Sequence, residues 1–534
     1  MTASNGFSLN LSRRDFFRRL AGGIFAPYFL LFKQPKRVLP AATLNDLFWV
    51  KDIPDHPFYD PSRPNLHLGL DSLLYQMADA GLKFYRSSTA HFLAGPLGLI
   101  SADDVVLIKV NAQWKYRGAT NSDLIRGLIQ RVLDHPDGFR GEVVIFDNGQ
   151  GRGSLACDTS AAYAGDSSVR ANANDERHSF LYLVHQVFRD PRVSAFLLDP
   201  VSGRFIDATD HVTNGYRRYE NVSYPCFTTA GGRRLELREG IWEGNGYSQN
   251  LKLINVPVLK HHDTGGSEIT ACLKHYYGVV SMADGQSGYR HYAGLGETCG
   301  KMMAAVMTPI LNIVDAIWVS HASLTGYPAT TTFRANQLLA SQDPVAADYW
   351  AAKYILYPID SNFRHHPDFP GIEKWLTSAR DTINSLGGLQ DLSRGILVDR
   401  VTKNEAKMNV RVGSAGDFLR QARVSVSSAW LSFIAVAPGG MTKEKSIAVN
   451  ITESYPFAWW AESDVDWVSF SPASGQGNGR ITVRVDASGL VPGKYEGKLF
   501  IHCREAANTP VSLPIRLTVV EKRGQARRHF GLRP

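Results

Sequence analysis

Two continuous apolar runs, VVLIKVN (105–111) and EVVIFD (142–147), flank a single amphipathic helix pattern. Both runs are rich in β-branched residues and lack the alternation of a half-solvated strand, which marks strands buried on both faces. Between them Leu124, Ile125, Leu128, Ile129, Val132 and Leu133 recur at helical spacing, with Asn121 or Ser122 placed to cap. Strand, helix and strand at this spacing form a βαβ unit, and such a unit implies a parallel pair. Downstream, ILNIVDAIWVS (310–320) reads as another strand, and Asp343-Pro344 opens a helix over VAADYWAAKYIL, with Asp at the cap and Pro at the first helical position. The expected fold over residues 43–410 is α/β: a large domain with a mostly parallel sheet flanked by helices. Asp71 is expected to cap a helix over DSLLYQMADAGLKFY, and residues 298–307 to be helical. Residues 43–71, rich in Pro and His, are expected to lie extended over the surface, and residues 207–246 to be irregular.

At 534 residues the chain is too long for one core. After Val412 the pattern changes to period two: VSVSSAWLSF, SIAVNI, FAWWAES, WVSFSP, ITVRVD, KYEGKLFIH and VSLPIRLTVV are separated by turn signals such as Pro438-Gly439-Gly440 and Pro492-Gly493. This predicts an all-β sandwich over residues 421–521, followed by a basic tail, 522–534.

The net charge of +8 sits at the ends. Residues 1–37 carry seven Lys/Arg against Asp15, and residues 521–534 carry five against Glu521, which leaves the body at −2. A folded body without a basic excess argues against nucleic acid as a partner. The five cysteines (Cys157, Cys226, Cys272, Cys299, Cys503) form no CxxC pair, so no iron–sulfur cluster is expected.

Ser12-Arg13-Arg14-Asp15-Phe16-Phe17-Arg18, followed by an apolar run over 20–32, resembles the twin-arginine export motif. That resemblance implies a signal peptide over residues 1–42, with the twin-arginine translocation machinery as a partner. It also implies a periplasmic or cell-surface destination. Cleavage would fall near Ala41 or Ala42; retention as an anchor is the alternative.

The densest chemistry lies in LKLINVPVLKHHDTGGSEITACLKHYYGVVSMADGQSGYR, 251–290. An apolar strand ends at Lys260-His261-His262-Asp263, passes Gly265-Gly266, and re-enters a helical pattern at Ser267. A strand end of a parallel sheet is where such sheets place ligands. Lys260, His261, His262, Asp263 and Lys274 are the candidate catalytic residues, with histidine as acid–base or ligand and the lysines as anion binders. Lys109, Asn111 and His275 are candidate substrate-binding residues, although Lys109 and Lys260 could instead pair with Asp147 or Asp315. Alternation means that His261 and His262 cannot both face a cleft if the strand persists. His261, His262 and His291, with Asp263 or Asp284, are candidate ligands for a divalent metal such as zinc, iron or nickel. Cys272 reads as a buried structural thiol rather than a nucleophile. The loop Asp147-Asn148-Gly149-Gln150-Gly151-Arg152-Gly153 could cradle an anion, but it has neither the dinucleotide nor the P-loop spacing.

VLIKVN, VPVLKHHDTGGSEITACLKHYYGVV, ILNIVDAI and LLASQDPVAADYWAAKYI, in that order, resemble the family called domain of unknown function 362 over residues 100–360. The family's strand-end K-[TS]-H appears as Lys260-His261-His262, and its Leu-Lys-Asn as Leu273-Lys274-His275. Many members carry a ferredoxin-like cysteine cluster, which this chain lacks. WVSFSPASG (467–475) with GLVPGKY (489–495) resembles the BACON-type immunoglobulin-like domain, which implies carbohydrate as a candidate partner through Trp459, Trp460 or Trp467. The resulting expectation is an exported enzyme acting on a small anionic molecule at the C-terminal edge of the sheet, with metal assistance open. The alternative is a non-catalytic surface or glycan-binding protein.

Overall fold

The computed structural model describes residues 45–89, 91–158, 168–206, 214–285, 287–391, 396–398, 400–451, 457–503 and 506–521. The export segment and the basic tail lie outside the described residues. The chain divides into two compact units, one holding the residues up to Ser87 with Gly95–Ala415, the other Ser88–Ala94 with the residues from Gly416 onward.

A ten-stranded sheet carries the first unit. Its strands are β1 (Asn45–Lys51), β2 (Val105–Lys109), β3 (Glu142–Asp147), β4 (Val193–Leu197), β5 (Leu251–Asn255), β6 (Val258–His261), β7 (Ile269–Thr270), β8 (Leu311–Ser320), β9 (Thr332–Ser341) and β10 (Met408–Ser414). The order is β10-β1-β9-β8-β5-β2-β3-β4, with β6 against β8 and β7. The run β8-β5-β2-β3-β4 is parallel throughout. β9 is antiparallel to β8 and to β1, so the sheet is mixed around a parallel centre. Every residue of β2 and β3 is buried, as their unbroken apolar runs require.

The connecting helix α2 (Ser122–Leu133) starts where Asn121 accepts the Leu124 N–H at 3.0 Å. Leu124, Ile125, Leu128, Ile129 and Val132 are fully buried, each stabilising the fold by roughly 1.5–3 kcal/mol. Asp343 caps the helix α4 (Pro344–Ala351), its Oδ1 accepting from Val345 and Ala346 at 2.9 and 3.0 Å.

Four expectations are corrected. Part of the segment expected to lie over the surface is β1, inserted between β9 and β10 because Leu47, Phe48 and Val50 need burial. The helix α1 (Leu68–Asp79) is capped by His67, whose Nδ1 accepts the Leu70 N–H at 3.2 Å; Asp71 instead pairs with buried Arg131 at 2.5 Å. Residues 215–248 form a five-stranded antiparallel sheet rather than irregular chain. After His262 the chain first makes β7, and helix begins only with α3 (Cys272–Tyr276).

The second unit is all β. A four-stranded sheet orders Val424–Val426, Lys445–Ile451, Gly479–Val485 and Val468–Ser471. A five-stranded sheet orders Leu431–Ala437, Val511–Glu521, Gly493–His502, Ala458–Ser463 and Ser474–Gln476. Alternation is plain: Leu431, Phe433 and Ala435 are buried while Ser432, Ile434 and Val436 are exposed. Trp459 is core, packed so closely that a Cβ at Gly475 would lie 2.4 Å from its ring. Trp460 faces outward and stacks on His502 with centroids 4.9 Å apart.

Candidate anion-binding pocket

Lys109 and Asp147 are the last residues of the adjacent parallel strands β2 and β3, so their side chains meet at the C-terminal edge of the sheet. Lys109 Nζ lies 2.5 Å from Asp147 Oδ1, both fully buried. Burial lowers the Lys109 amine and raises the Asp147 carboxyl, against the attraction of the pair. A Cβ at Gly278 would approach Lys109 Nζ to 3.2 Å, so glycine there leaves the ammonium its space.

His275, from α3, closes the same corner. Its Nε2 is 3.2 Å from Lys109 Nζ and its Nδ1 2.7 Å from Asn255 Oδ1. An ammonium can only donate, so Nε2 accepts and Nδ1–H donates to the amide oxygen. Burial, then the Lys109 charge, holds this imidazole neutral.

Strand alternation in β6 puts Leu259 into the core and turns Lys260, with His262 beyond the strand end, toward the pocket. Lys260 Nζ donates to Gly118 O at 2.7 Å and has no ion pair with Asp147 or Asp315 among the described residues. Burial brings its amine down to about 7. His261 takes the opposite side: its Nδ1 is 2.9 Å from His365 Nε2, and His365 Nδ1 is 3.2 Å from Asp360 Oδ1. His261 therefore does not line the pocket.

Lys274 is set by a tie between helices. Asp348 of α4 accepts the Cys272 and Leu273 N–H groups of α3 at 2.6 and 3.0 Å. Lys274 Nζ then sits 4.6 Å from the Tyr277 ring centroid, 7% exposed, with no hydrogen bond or ion pair among the described residues. Burial brings this amine down to about 8. Thr270 Oγ1 on β7 is buried without a hydrogen-bond partner among the described residues. Cys272 is fully buried and its thiol pushed far up, which fits a structural role.

These groups surround one pocket, open to solvent. It gathers Lys109, Asn111, Lys260, His262, Lys274 and His275 from the expected residues, and adds Asp147, Gln113, Asn148, Gln150, Thr270 and Tyr277. Three ammonium groups face one carboxylate, so the lining carries a positive excess. The Gly-rich loop does not cradle a ligand with its amides. Asp199 takes them, accepting from Gly149, Gln150 and Gly151 at 2.6, 3.2 and 2.7 Å.

Asp263 stands at the rim, grouped with His262 and His291, their ligand atoms all within 4.8 Å of one another. His261 and Asp284 are outside this group, and Asp284 is held by Arg290. Burial first and the Lys274 charge second bring His262 down to about 3 and His291 to about 4.

Residues 247–353 match the family model described as domain of unknown function (DUF362). The matched stretch runs from just before β5 past the end of α4, taking in Lys260, His262, Lys274 and Asp348; VLIKVN on β2 lies outside it. No match to a curated protein was found. Among solved structures, a Bacteroides ovatus GH5 xyloglucanase aligns at 10% identity and TM-score 0.15, over 18% of this chain and 19% of that one. A PapD-like domain of human CEP192 aligns at 13% identity and TM-score 0.16, over 19% of this chain and 87% of that one. At these scores the likenesses carry no argument about this chain.

Proposed function

We propose that the pocket binds a small molecule through an anionic group, carboxylate or phosphate, and that the protein is an enzyme acting on that molecule. The observation that carries the reading is Lys274, a largely buried side chain whose ammonium has neither a hydrogen bond nor an ion pair among the described residues and lines a pocket already rich in cations. A buried charge of this kind costs stability unless something neutralises it, and a bound anion does so. Lys260 is the second anion binder, and Thr270 and Asn111 supply neutral donors. His262, neutral at physiological pH, is the candidate base. Lys109, Asp147 and His275 hold the floor of the pocket.

In this reading the protein is exported through the twin-arginine pathway, and residues 421–521 form a BACON-type immunoglobulin-like module. A second reading, glycan binding by that module, is favoured only by the outward Trp460 stacked on His502. Calorimetric titration with inorganic sulfate, phosphate and short carboxylates tests the anion site, and mass-spectrometric turnover of mixed phosphate esters and carboxylates tests the activity. Saturable heat that is lost in Lys274→Met supports the reading. No heat with any of these anions, together with binding of oligosaccharides that Trp460→Ala abolishes, would replace it with the second.

A further inference from the structure

The rim of the pocket brings together two imidazoles and a carboxylate, a set that the anion reading uses only in part. His262 Nδ1 accepts the Asp263 backbone N–H at 2.8 Å, so its lone pair lies on that side of the ring. Asp263 Oδ2 is only 3.1 Å from the same nitrogen. Asp263 thus engages Nδ1, which has a single in-plane lone pair, and Nε2 is the His262 nitrogen left for an ion. A third lone-pair donor completes the group. His291 Nε2 is buried without a hydrogen-bond partner among the described residues. Its ring is fixed by stacking on Tyr277 and on Tyr292, with centroids 5.3 and 4.7 Å apart, and Ser267 Oγ donates to His291 O at 3.2 Å. Tyr292 OH reaches Asp263 Oδ2 at 3.5 Å, which steadies the carboxylate.

We propose that His262, Asp263 and His291 form a binding site for one divalent transition-metal ion of the zinc or iron(II) type. Two imidazoles and one carboxylate are borderline donors suited to these ions rather than to calcium or magnesium. Bonds of about 2.0–2.2 Å put neighbouring ligands of a tetrahedral site about 3.3–3.5 Å apart. The three ligand atoms lie within 4.8 Å of one another, so side-chain rotations of about 1 Å bring the set onto such bonds. Three protein ligands leave at least one coordination position for water or another ligand, the pattern of reactive rather than purely structural sites. His262 also lines the pocket, so the ion borders the anion site, and His262 then serves as a ligand in place of the base named above. The set differs from one built on the paired histidines. His261, next in the chain to His262, is turned away to His365 by strand alternation, and His291 enters from a segment 29 residues further along the chain from His262.

This inference rests on the pocket being a ligand site, and it is tested apart from anion binding. The full chain is freed of metal with a chelator and titrated with Co²⁺, reading its visible absorption, and with Zn²⁺, reading bound metal by elemental analysis after gel filtration. One equivalent of either ion is expected in the wild-type chain, with affinity down by at least tenfold in His291→Ala and in Asp263→Asn. His261→Ala should bind as the wild type does. Thermal melting of each variant checks its fold, and the wild-type Co²⁺ spectrum stands independently of them. No Co²⁺ band and no retained Zn²⁺ in the wild type would overturn the site. So would full binding by folded His291→Ala, or loss of binding in folded His261→Ala. Sulfate heat measured on the metal-free chain keeps the two proposals separable: sulfate heat with no Co²⁺ or Zn²⁺ uptake sinks only the metal site, metal uptake with no sulfate heat sinks only the anion site, and absence of both sinks both.

Discussion

Lys274 concentrates the account in one side chain. It is buried, unpaired and close to an aromatic face, a contact worth far less than the hydration it has lost. Replacing it with methionine keeps its volume and removes the charge. Lys274→Met is therefore expected to raise stability by roughly 1–3 kcal/mol while lowering sulfate affinity by at least tenfold. Thermal melting and calorimetry read the two effects. The pH dependence has a definite sign. The folded amine titrates near 8, below its ordinary 10.5, so between those values the unfolded chain holds a proton that the folded chain does not. The stability cost is fully present below about 8 and is relieved as pH rises toward 10.5. Anion binding needs both ammonium groups, so sulfate affinity is expected to fall as pH rises through about 7, where Lys260 loses its proton, to about 8, where Lys274 does, as calorimetry across that range would read. Lys260 and His262 were legible in the sequence because polar residues at the end of an apolar strand stand out, and Lys274 because it lies in the same dense polar stretch. Thr270 and Gln113 were not, since isolated neutral polar residues carry no pattern and only the fold brings them together. Alternation required the two adjacent histidines to diverge; which one faces the pocket depended on burying Leu259.

At the scale of elements, the site depends on how α3 is held. This helix has only five residues, too few to be stable alone, and Asp348 of α4 supplies the acceptors for its first two N–H groups. Burial brings the Asp348 carboxyl up to about 7, so part of its bonding strength depends on pH. Asp348→Asn keeps one acceptor and loses the other. It is expected to cost about 1–3 kcal/mol of stability and to weaken sulfate binding without touching any pocket-lining residue. Hydrogen exchange at the Cys272 and Leu273 amides would localise the effect. Asp343 at its helix cap was readable from sequence because Asp-Pro at a helix start is a local signal. The Asp348 tie was not, because its partners lie 76 and 75 residues away. The parallel centre of the sheet followed from VVLIKVN and EVVIFD. β1 escaped notice because its short apolar core is embedded among Pro- and His-rich chain, and the 215–248 sheet because Arg and Tyr on its strands mask alternation.

For the whole molecule, every pocket-lining residue belongs to the α/β unit, and the all-β unit contributes none. A chain of residues 43–415 is expected to bind sulfate with the affinity of the full chain, and a loss of binding by a folded truncation would contradict that division. The change from apolar runs to period-two alternation announced the second unit in the sequence. Its boundary fell a few residues later than Val412, because β10 runs to Ser414 as the parallel partner of β1. The central claim is that a converging set of buried lysines takes a small anion. Calorimetric titration of the full chain with sulfate, in parallel with Lys274→Met and Lys260→Met, tests it most directly. The account predicts one saturable site in the wild type, weakened at least tenfold in each variant while both remain folded. No saturable heat in the wild type, or undiminished binding in both folded variants, would contradict it.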